Sequence, residues 1–299
     1  MKQVKISVPA TSANLGPGFD CLGLALNLHN HFTFTAVSTP TLQISVSGTD
    51  AHKVATDDTN LVYQCAQIVF EKAGKRPSGL IIEQENNIPV GSGLGSSSTA
   101  VLAGMLGANE LLERPFTQEQ ILQLATEKEG HPDNVAPALH GGLILGISHE
   151  AGLHVEQYTL PTMQVVVILP DFHLLTSEAR AALPKQLTMQ DAIFNASRTP
   201  LVIQALQTAD YAKLSIAMQD RLHQPYRIPL IPGMPEAFAA AKMAGAKGVA
   251  LSGAGPSLIA FAPCDHNEIA ERVTAVFAAS GQTSRSWILE VDKKGSQVS

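Results

Sequence analysis

Ile88-Pro89-Val90-Gly91-Ser92-Gly93-Leu94-Gly95-Ser96-Ser97-Ser98-Thr99-Ala100 is the most informative stretch of the chain. Glycines at alternate positions let a backbone approach a ligand closely. Four consecutive hydroxyl residues follow. Ala100, Val101, Leu102, Met105, Leu106, Leu111 and Leu112 then recur at helical spacing until Pro115 closes the helix. Upstream, Leu80 to Glu85 reads as a strand. Strand, glycine loop and helix N-terminus in that order make an anion site, because the first helical turn offers free N–H groups and a partial positive charge. A hydroxyl there can ligate Mg²⁺ while its neighbours hydrogen-bond phosphate oxygens. The competing reading is a glycine turn with Ser96 or Ser97 as an ordinary helix cap. The flanking strand and apolar helix favour the phosphate site. The stretch fits neither GxxxxGK[ST] nor GxGxxG, since no lysine follows the last glycine and Ser98 stands where the second pattern needs glycine. A Walker-type NTPase and a dinucleotide-binding dehydrogenase are therefore disfavoured.

Working outward, Val4, Ile6 and Val8 alternate with polar residues, as do Phe32 and Phe34, and Leu42, Ile44 and Val46. Each set predicts a strand with one buried face. Ile121 to Glu129 predicts a short helix stopped by Gly130 and Pro132, and Gly141-Gly142 a turn into a strand. Val165 to Leu169 is a buried strand ended by Pro170, with helices expected over Asp191 to Gln207 and Asp210 to Leu222. The tail has another rhythm: a helix over Pro235 to Ala244, a strand over Gly248 to Ser252, the turn Gly253-Ala254-Gly255-Pro256, and a strand over Ser257 to Ala262. A helix over His266 to Ala279, capped by Gly281, and a strand over Trp287 to Val291 complete it. That order predicts an α+β sandwich of helices on an antiparallel sheet. Two domains are expected, 1–155 and 156–299.

Composition narrows the class. Of 299 residues, 45% are hydrophobic and 15% charged, which suits a globular chain with a substantial core. The net charge of -6, with no basic block, argues against a nucleic-acid surface but not against ATP, whose phosphates are met by local N–H groups and a metal. No apolar run is long enough to span a bilayer and the N-terminus has no signal-peptide core. Cys21, Cys65 and Cys264 show neither disulfide nor zinc spacing and read as buried reduced thiols of a cytoplasmic protein. His29 and His31 share a strand face without a third ligand and read as structural.

The Gly91 to Ser97 loop resembles the second motif of the GHMP kinases, Pro-x-x-x-Gly-Leu-Gly-Ser-Ser. Two more stretches agree in order: Pro9-Ala10-Thr11-Ser12-Ala13-Asn14-Leu15-Gly16-Pro17-Gly18-Phe19-Asp20 near the N-terminus, and Leu251-Ser252-Gly253-Ala254-Gly255-Pro256-Ser257 near the C-terminus. The form of the first is similar to that of the homoserine kinases within the family. The resemblance implies the two-domain GHMP kinase fold, with an N-terminal domain like ribosomal protein S5 domain 2 and a ferredoxin-like C-terminal domain. It implies ATP and Mg²⁺ as donor and cofactor, L-homoserine as acceptor, and a homodimer. Another small-molecule kinase of the family, for mevalonate or a sugar, and a ligand sensor without turnover are the rival readings.

By the same resemblance, ATP would be held by Pro89, Val90, Gly91, Ser92, Gly93, Leu94, Gly95, Ser96, Ser97 and Ser98, with Asn60 on the adenine side unless Asn60 only caps a helix. Mg²⁺ would sit on Ser97 and Glu129, with Glu127 as competitor for the carboxylate. Arg180 and Arg227 would bind the substrate carboxylate, because a guanidinium donates two parallel hydrogen bonds. Asp20 would take the ammonium and Asn14 would orient the reacting hydroxyl. His131, Asn134 and Thr176 would complete the pocket. Asn134, Asn14 and Arg180 are the expected catalytic residues. Asn134 stands where several GHMP kinases carry an aspartate base, and an amide cannot accept the proton. A mechanism without a side-chain base is implied, with Asp133 as the rival base candidate. The Ser252 to Ser257 turn either packs under the phosphate loop or merely connects two strands.

Overall fold

The computed structural model describes residues 2–150 and 152–299. The larger sheet is built first from β1 (Lys2–Ala13), β2 (Leu22–Val37), β3 (Leu42–Gly48), β4 (Gly79–Asn86), β5 (Leu143–His149) and β6 (Gly152–Tyr158). A second, fully antiparallel sheet follows from β7 (Gln164–Pro170), β8 (Gly248–Leu251), β9 (Leu258–Phe261) and β10 (Ser284–Glu290), in the order β10-β7-β9-β8. A last short strand, β11 (Gln297–Val298), returns to pair with β1 and completes the larger sheet. The helices are α1 (Leu61–Ala73), α2 (Ser96–Leu111), α3 (Gln118–Glu129), α4 (Pro132–His140), α5 (Thr176–Ala181), α6 (Met189–Gln207), α7 (Tyr211–Ala217), α8 (Gln224–Arg227), α9 (Met234–Met243) and α10 (His266–Ala279).

The alternation of Val4, Ile6 and Val8 does what a period of two requires: they are buried while Gln3 and Lys5 are exposed. Val4 lies opposite Phe34 and Ile6 opposite Phe32 on β2, and this face packs against α1 to α4. The register shifts between Pro9 and Ala10. Beyond that irregularity β1 is buried throughout, because its end runs in between the two sheets and arrives at the site.

β7 shows why an unbroken apolar run can still be a strand. Val165 and Val167 join a core with Leu22, Leu24 and Leu26 of β2, while Val166 and Ile168 turn to the opposite core under α9 and α10. Both faces are covered, so both parities must be apolar.

The structure departs from the sequence reading at several elements. Pro132 does not end the helical stretch; it opens α4, at a position where its missing N–H would have had no helical partner. The helix expected over Asp210 to Leu222 stops with α7. The Asp220 carboxylate instead accepts the N–H groups of Leu222, His223 and Gln224, at 2.8, 3.0 and 2.6 Å, and so starts α8. Pro170 is the last residue of β7 rather than a residue beyond it. α5, α8, β6 and β11 carried too little periodicity to be read. Cys264 is exposed and Cys21 half-buried, so only Cys65 is the buried thiol expected of all three.

Candidate active site

The phosphate loop bridges β4 and α2. Gly91, Gly93 and Gly95 all have left-handed φ, at 68°, 79° and 70°. At Gly93 a Cβ would stand 2.4 Å from the Ser252 carbonyl oxygen, and at Gly95 2.1 Å from Thr11 Oγ1. Neither backbone shape nor space admits another residue there. Gly95 is the N-cap of α2, so Ser96, Ser97 and Ser98 form its first turn with their N–H groups free of helical partners.

The turn at Ser252 to Ser257 lies directly against this loop. Ser252 Oγ is 2.7 Å from the Gly93 carbonyl oxygen and 2.9 Å from Ser12 Oγ. The Ser257 N–H donates to Ser92 O, the Gly253 N–H to Ala13 O and the Thr11 N–H to Leu94 O. The three motif stretches thus brace one another, and the alternative of a mere strand connection falls away.

Two loop residues have their side chains committed within the protein. Leu94 is fully buried in the core between the sheets, and the Ser92 hydroxyl donates to Pro89 O at 2.8 Å. The hydroxyls of Ser97 and Ser98 donate to the two carboxylate oxygens of Glu129, at 2.8 and 2.7 Å. Glu127 is exposed, bonded to Gln123, and does not reach this point. A cluster of hard oxygen donors at a helix N-terminus is the donor set Mg²⁺ prefers, so Ser97 and Glu129 fit that ion.

A cavity of about 290 Å³ runs from these serines to a charged wall. Asn14, Asp20, His131, Asn134, Thr176, Arg180 and Arg227 all line it. Arg180 grips Asp20 through both terminal nitrogens, at 3.0 and 2.8 Å. That bond and the Asp20 charge raise the Arg180 pKa against the opposing effect of burial. Asp20, expected to take the ammonium, therefore already has a cationic partner.

Arg227 is 2% exposed. It donates from Nε to Ala179 O at 3.2 Å and from Nη1 to Gly253 O at 3.3 Å. Burial, with Arg180 nearby, pulls its pKa down to about 10, still well above neutrality. His223 stands behind it. Its Nε2 lies 2.8 Å from the Gly16 carbonyl, which can only accept, so Nδ1 is left as acceptor for Arg227 Nη1 at 3.3 Å. Burial lowers the His223 pKa, consistent with that neutral ring. Phe19 stacks on His223 and lies under both arginines.

Asn14, left-handed at φ 71°, donates to Gly253 O at 2.9 Å and accepts the Asp20 N–H at 2.9 Å. One amide hydrogen remains for a ligand. Asn134 accepts the Thr11 hydroxyl at 2.7 Å. Asp133 is 2% exposed and bonded to Nδ1 of His131. Burial opposes a charge on His131, but the Asp133 hydrogen bond and charge outweigh it and raise its pKa.

A second cavity of about 350 Å³ opens beyond the loop. Asn60, Val90, Gly91, Ser96 and Ser97 line it, along with Lys53 and Val62. Asn60 caps α1 by accepting the Tyr63 N–H, and also bonds Gln84 and the Ala55 carbonyl. Its oxygen accepts twice and one amide hydrogen is used on Ala55 O; at 1% exposure its side chain forms part of the cavity wall. His29 pairs with Asp292 at 3.0 Å, away from both cavities. Sequence reasoning missed His223 and Lys53: a lone histidine after a truncated helix and an exposed lysine carry no signal of their own.

The family model of the GHMP kinases N terminal domain matches residues 60–142, and that of the GHMP kinases C terminal matches 202–279. A homoserine kinase from Synechococcus sp. is 45% identical over 99% of this chain and 98% of its own length. The chain belongs to the homoserine kinases of the GHMP kinase family. The crystal structure of a homoserine kinase from Cytophaga hutchinsonii superposes with a TM-score of 0.89 at 30% identity, covering 100% of this chain and 98% of that one. A mevalonate kinase from L. major shares the fold, with a TM-score of 0.75 at 17% identity over 97% of this chain and 96% of that one. The two-domain architecture is thus that of the GHMP kinases, and membership makes the chain an ATP-dependent kinase.

Proposed function

We propose that this chain moves the γ-phosphate of ATP onto the hydroxyl of L-homoserine, giving O-phospho-L-homoserine and ADP in threonine biosynthesis. One observation carries the reading: a single cavity has the α2 N-terminus with Ser97 and Glu129 at one side and the Arg180, Arg227, Asp20 constellation at the other. A zwitterionic amino acid complements that wall. Its carboxylate faces the two guanidiniums, and its ammonium faces Asp20. Sharing the Arg180–Asp20 pair between the two ends of one amino acid aligns the head group and leaves the side-chain hydroxyl free to point at the phosphate loop.

The adenine occupies the cavity walled by Asn60, and the phosphates lie on the backbone of Gly91 to Ser98. Ser97 and Glu129 would hold Mg²⁺, which would supply neutralisation of phosphate charge. Asn14 and Asn134 orient the hydroxyl oxygen. As its bond to phosphorus forms, the bond from phosphorus to the β-bridging oxygen breaks. Asn134 cannot accept the hydroxyl proton, and Asp133 is engaged by His131. The proton passes late to an oxygen of the transferring phosphoryl group, which a loose transition state permits. The same reading takes the protein as a cytoplasmic homodimer; its three free cysteines support the compartment.

Arg227→Ala tests the substrate end. It should weaken homoserine use by about 2–5 kcal/mol in kcat/KM while ATP affinity holds, because a ligand carboxylate loses a buried partner. An unchanged homoserine response in both Arg227→Ala and Arg180→Ala would remove the substrate assignment.

A further inference from the structure

A carboxylate stands beside the nucleotide site without any role in the transfer described above. Asp50 follows β3 in left-handed backbone, at φ 55°. Its Oδ2 accepts the N–H of Val90, at the start of the phosphate loop, at 3.1 Å. Its Oδ1 lies 3.1 Å from Lys53 Nζ, which a single 3₁₀ turn over Ala51–Lys53 brings back onto it. Arg285 of β10, from the other sheet, approaches Oδ2 at 3.9 Å. The Asp50 side chain is 12% exposed, against 50% for Lys53 and 49% for Arg285. Val90 and Lys53 both line the adenine-side cavity, and Gly91, next in the chain, lines that cavity and the transfer cavity alike.

A fixed anion so close to a triphosphate site would repel ATP unless it were neutralised. Two cations from different segments do that. The loop also needs an external anchor here. The Ser252 to Ser257 turn braces it from Ser92 onward, and at Val90, ahead of that brace, a charge-assisted bond to a main-chain N–H is a strong way to hold it.

We propose that Asp50 is a positioning residue for the nucleotide: it fixes the start of the phosphate loop through the Val90 N–H, while Lys53 and Arg285 cancel its charge toward ATP. The Asp50 carboxyl lies below its ordinary pKa range. Burial would raise it, but the Lys53 and Val90 bonds and the two cationic charges outweigh burial. The anchor therefore stays ionised at neutral pH. It also ties three parts of the molecule together: the segment after β3, the phosphate loop and the second sheet.

The test uses Asp50→Gly, which deletes the carboxylate without strain at a left-handed position, and Asp50→Asn, which keeps an oxygen acceptor and tolerates the same backbone. Asp50→Gly should raise KM for ATP, and the Kd of a non-hydrolysable ATP analogue, about tenfold. KM for homoserine and kcat should move by less than about threefold, and Asp50→Asn should restore nucleotide binding to within about threefold of wild type. Lys53→Ala should weaken analogue binding in the wild-type background and not in the Asp50→Asn background, where no charge needs cancelling. An unchanged ATP affinity in Asp50→Gly would overturn the assignment, as would Asp50→Asn binding as weakly as Asp50→Gly. Equal losses for ATP and homoserine with a lowered thermal midpoint would reduce Asp50 to a general structural role. Analogue binding is read without turnover, so the outcome is separate from whether homoserine is the acceptor.

Discussion

Half-buried His131 and buried Asp133 form a pair at the mouth of α4, and they carry two predictions at the scale of single residues. In the proposed mechanism Asp133 holds His131 and takes no proton from the substrate. Asp133→Asn should therefore lower turnover by less than about 10²-fold, whereas loss of a general base costs that much or more. Rapid-quench measurement of the transfer step decides it; a larger loss with unchanged homoserine binding would make Asp133 the base. The second concerns pH. The folded pKa of His131 is raised above its unfolded value of about 6.5, so its contribution to stability is fully present below that pH. It is lost as pH rises through the folded pKa. Urea midpoints of wild type and His131→Gln should differ at pH 6 and converge at alkaline pH. Arg180 and Arg227 were legible only through the family resemblance and the fit of a guanidinium to a carboxylate. The His223 support behind Arg227 was not, since it exists only where Gly16, Asp220 and Arg227 meet in space.

The loop from β4 to α2 is the element on which the chemistry depends, and its glycines differ in kind from those that only end helices. Gly95 is left-handed and has Thr11 Oγ1 where a Cβ would go; Gly74, after α1, is left-handed with open space around it. Gly74→Ala should cost about 1–2 kcal/mol of stability and leave ATP use unchanged. Gly95→Ala should cost at least as much and also raise KM for ATP, because it displaces the first turn of α2. Urea melts paired with ATP titrations of the two variants separate these effects, and similar ATP constants would contradict the role given to the loop. This loop could be read in the sequence because glycine spacing, hydroxyls and helix onset all point one way. α4 could not. Pro132 is a stop signal when it follows a helix and a start signal when it opens one, and the chain uses it for the second just after Gly130 has done the first. α7 ended early for a different reason: the side chains of Asn195 and Asp220 take the Arg221 and Leu222 N–H groups that a longer helix would have used.

At the scale of the whole molecule, the two sheets are joined by a core they share. Leu22, Leu24 and Leu26 of the larger sheet pack with Val165, Val167 and Phe261 of the second, and β11 returns the C-terminus to β1. Neither sheet can lose the other without exposing this surface, so unfolding should be a single transition. The lone tryptophan, Trp287, lies on β10 and packs against the shared core, so its fluorescence reports the second sheet. Its melting curve should coincide with far-UV circular dichroism, and Leu24→Ala should shift both together, at a cost of about 2–5 kcal/mol. Separate transitions would contradict the shared core. The same joining makes the site, since the phosphate loop comes from one sheet's connections and Arg180 and Arg227 from the other's. The most direct test of that convergence is ADP release with Mg·ATP in the presence of homoserine, mevalonate, galactose or no acceptor. Turnover with homoserine alone is the predicted result. Turnover with mevalonate or galactose instead, or ATP binding with no turnover at all, would contradict it.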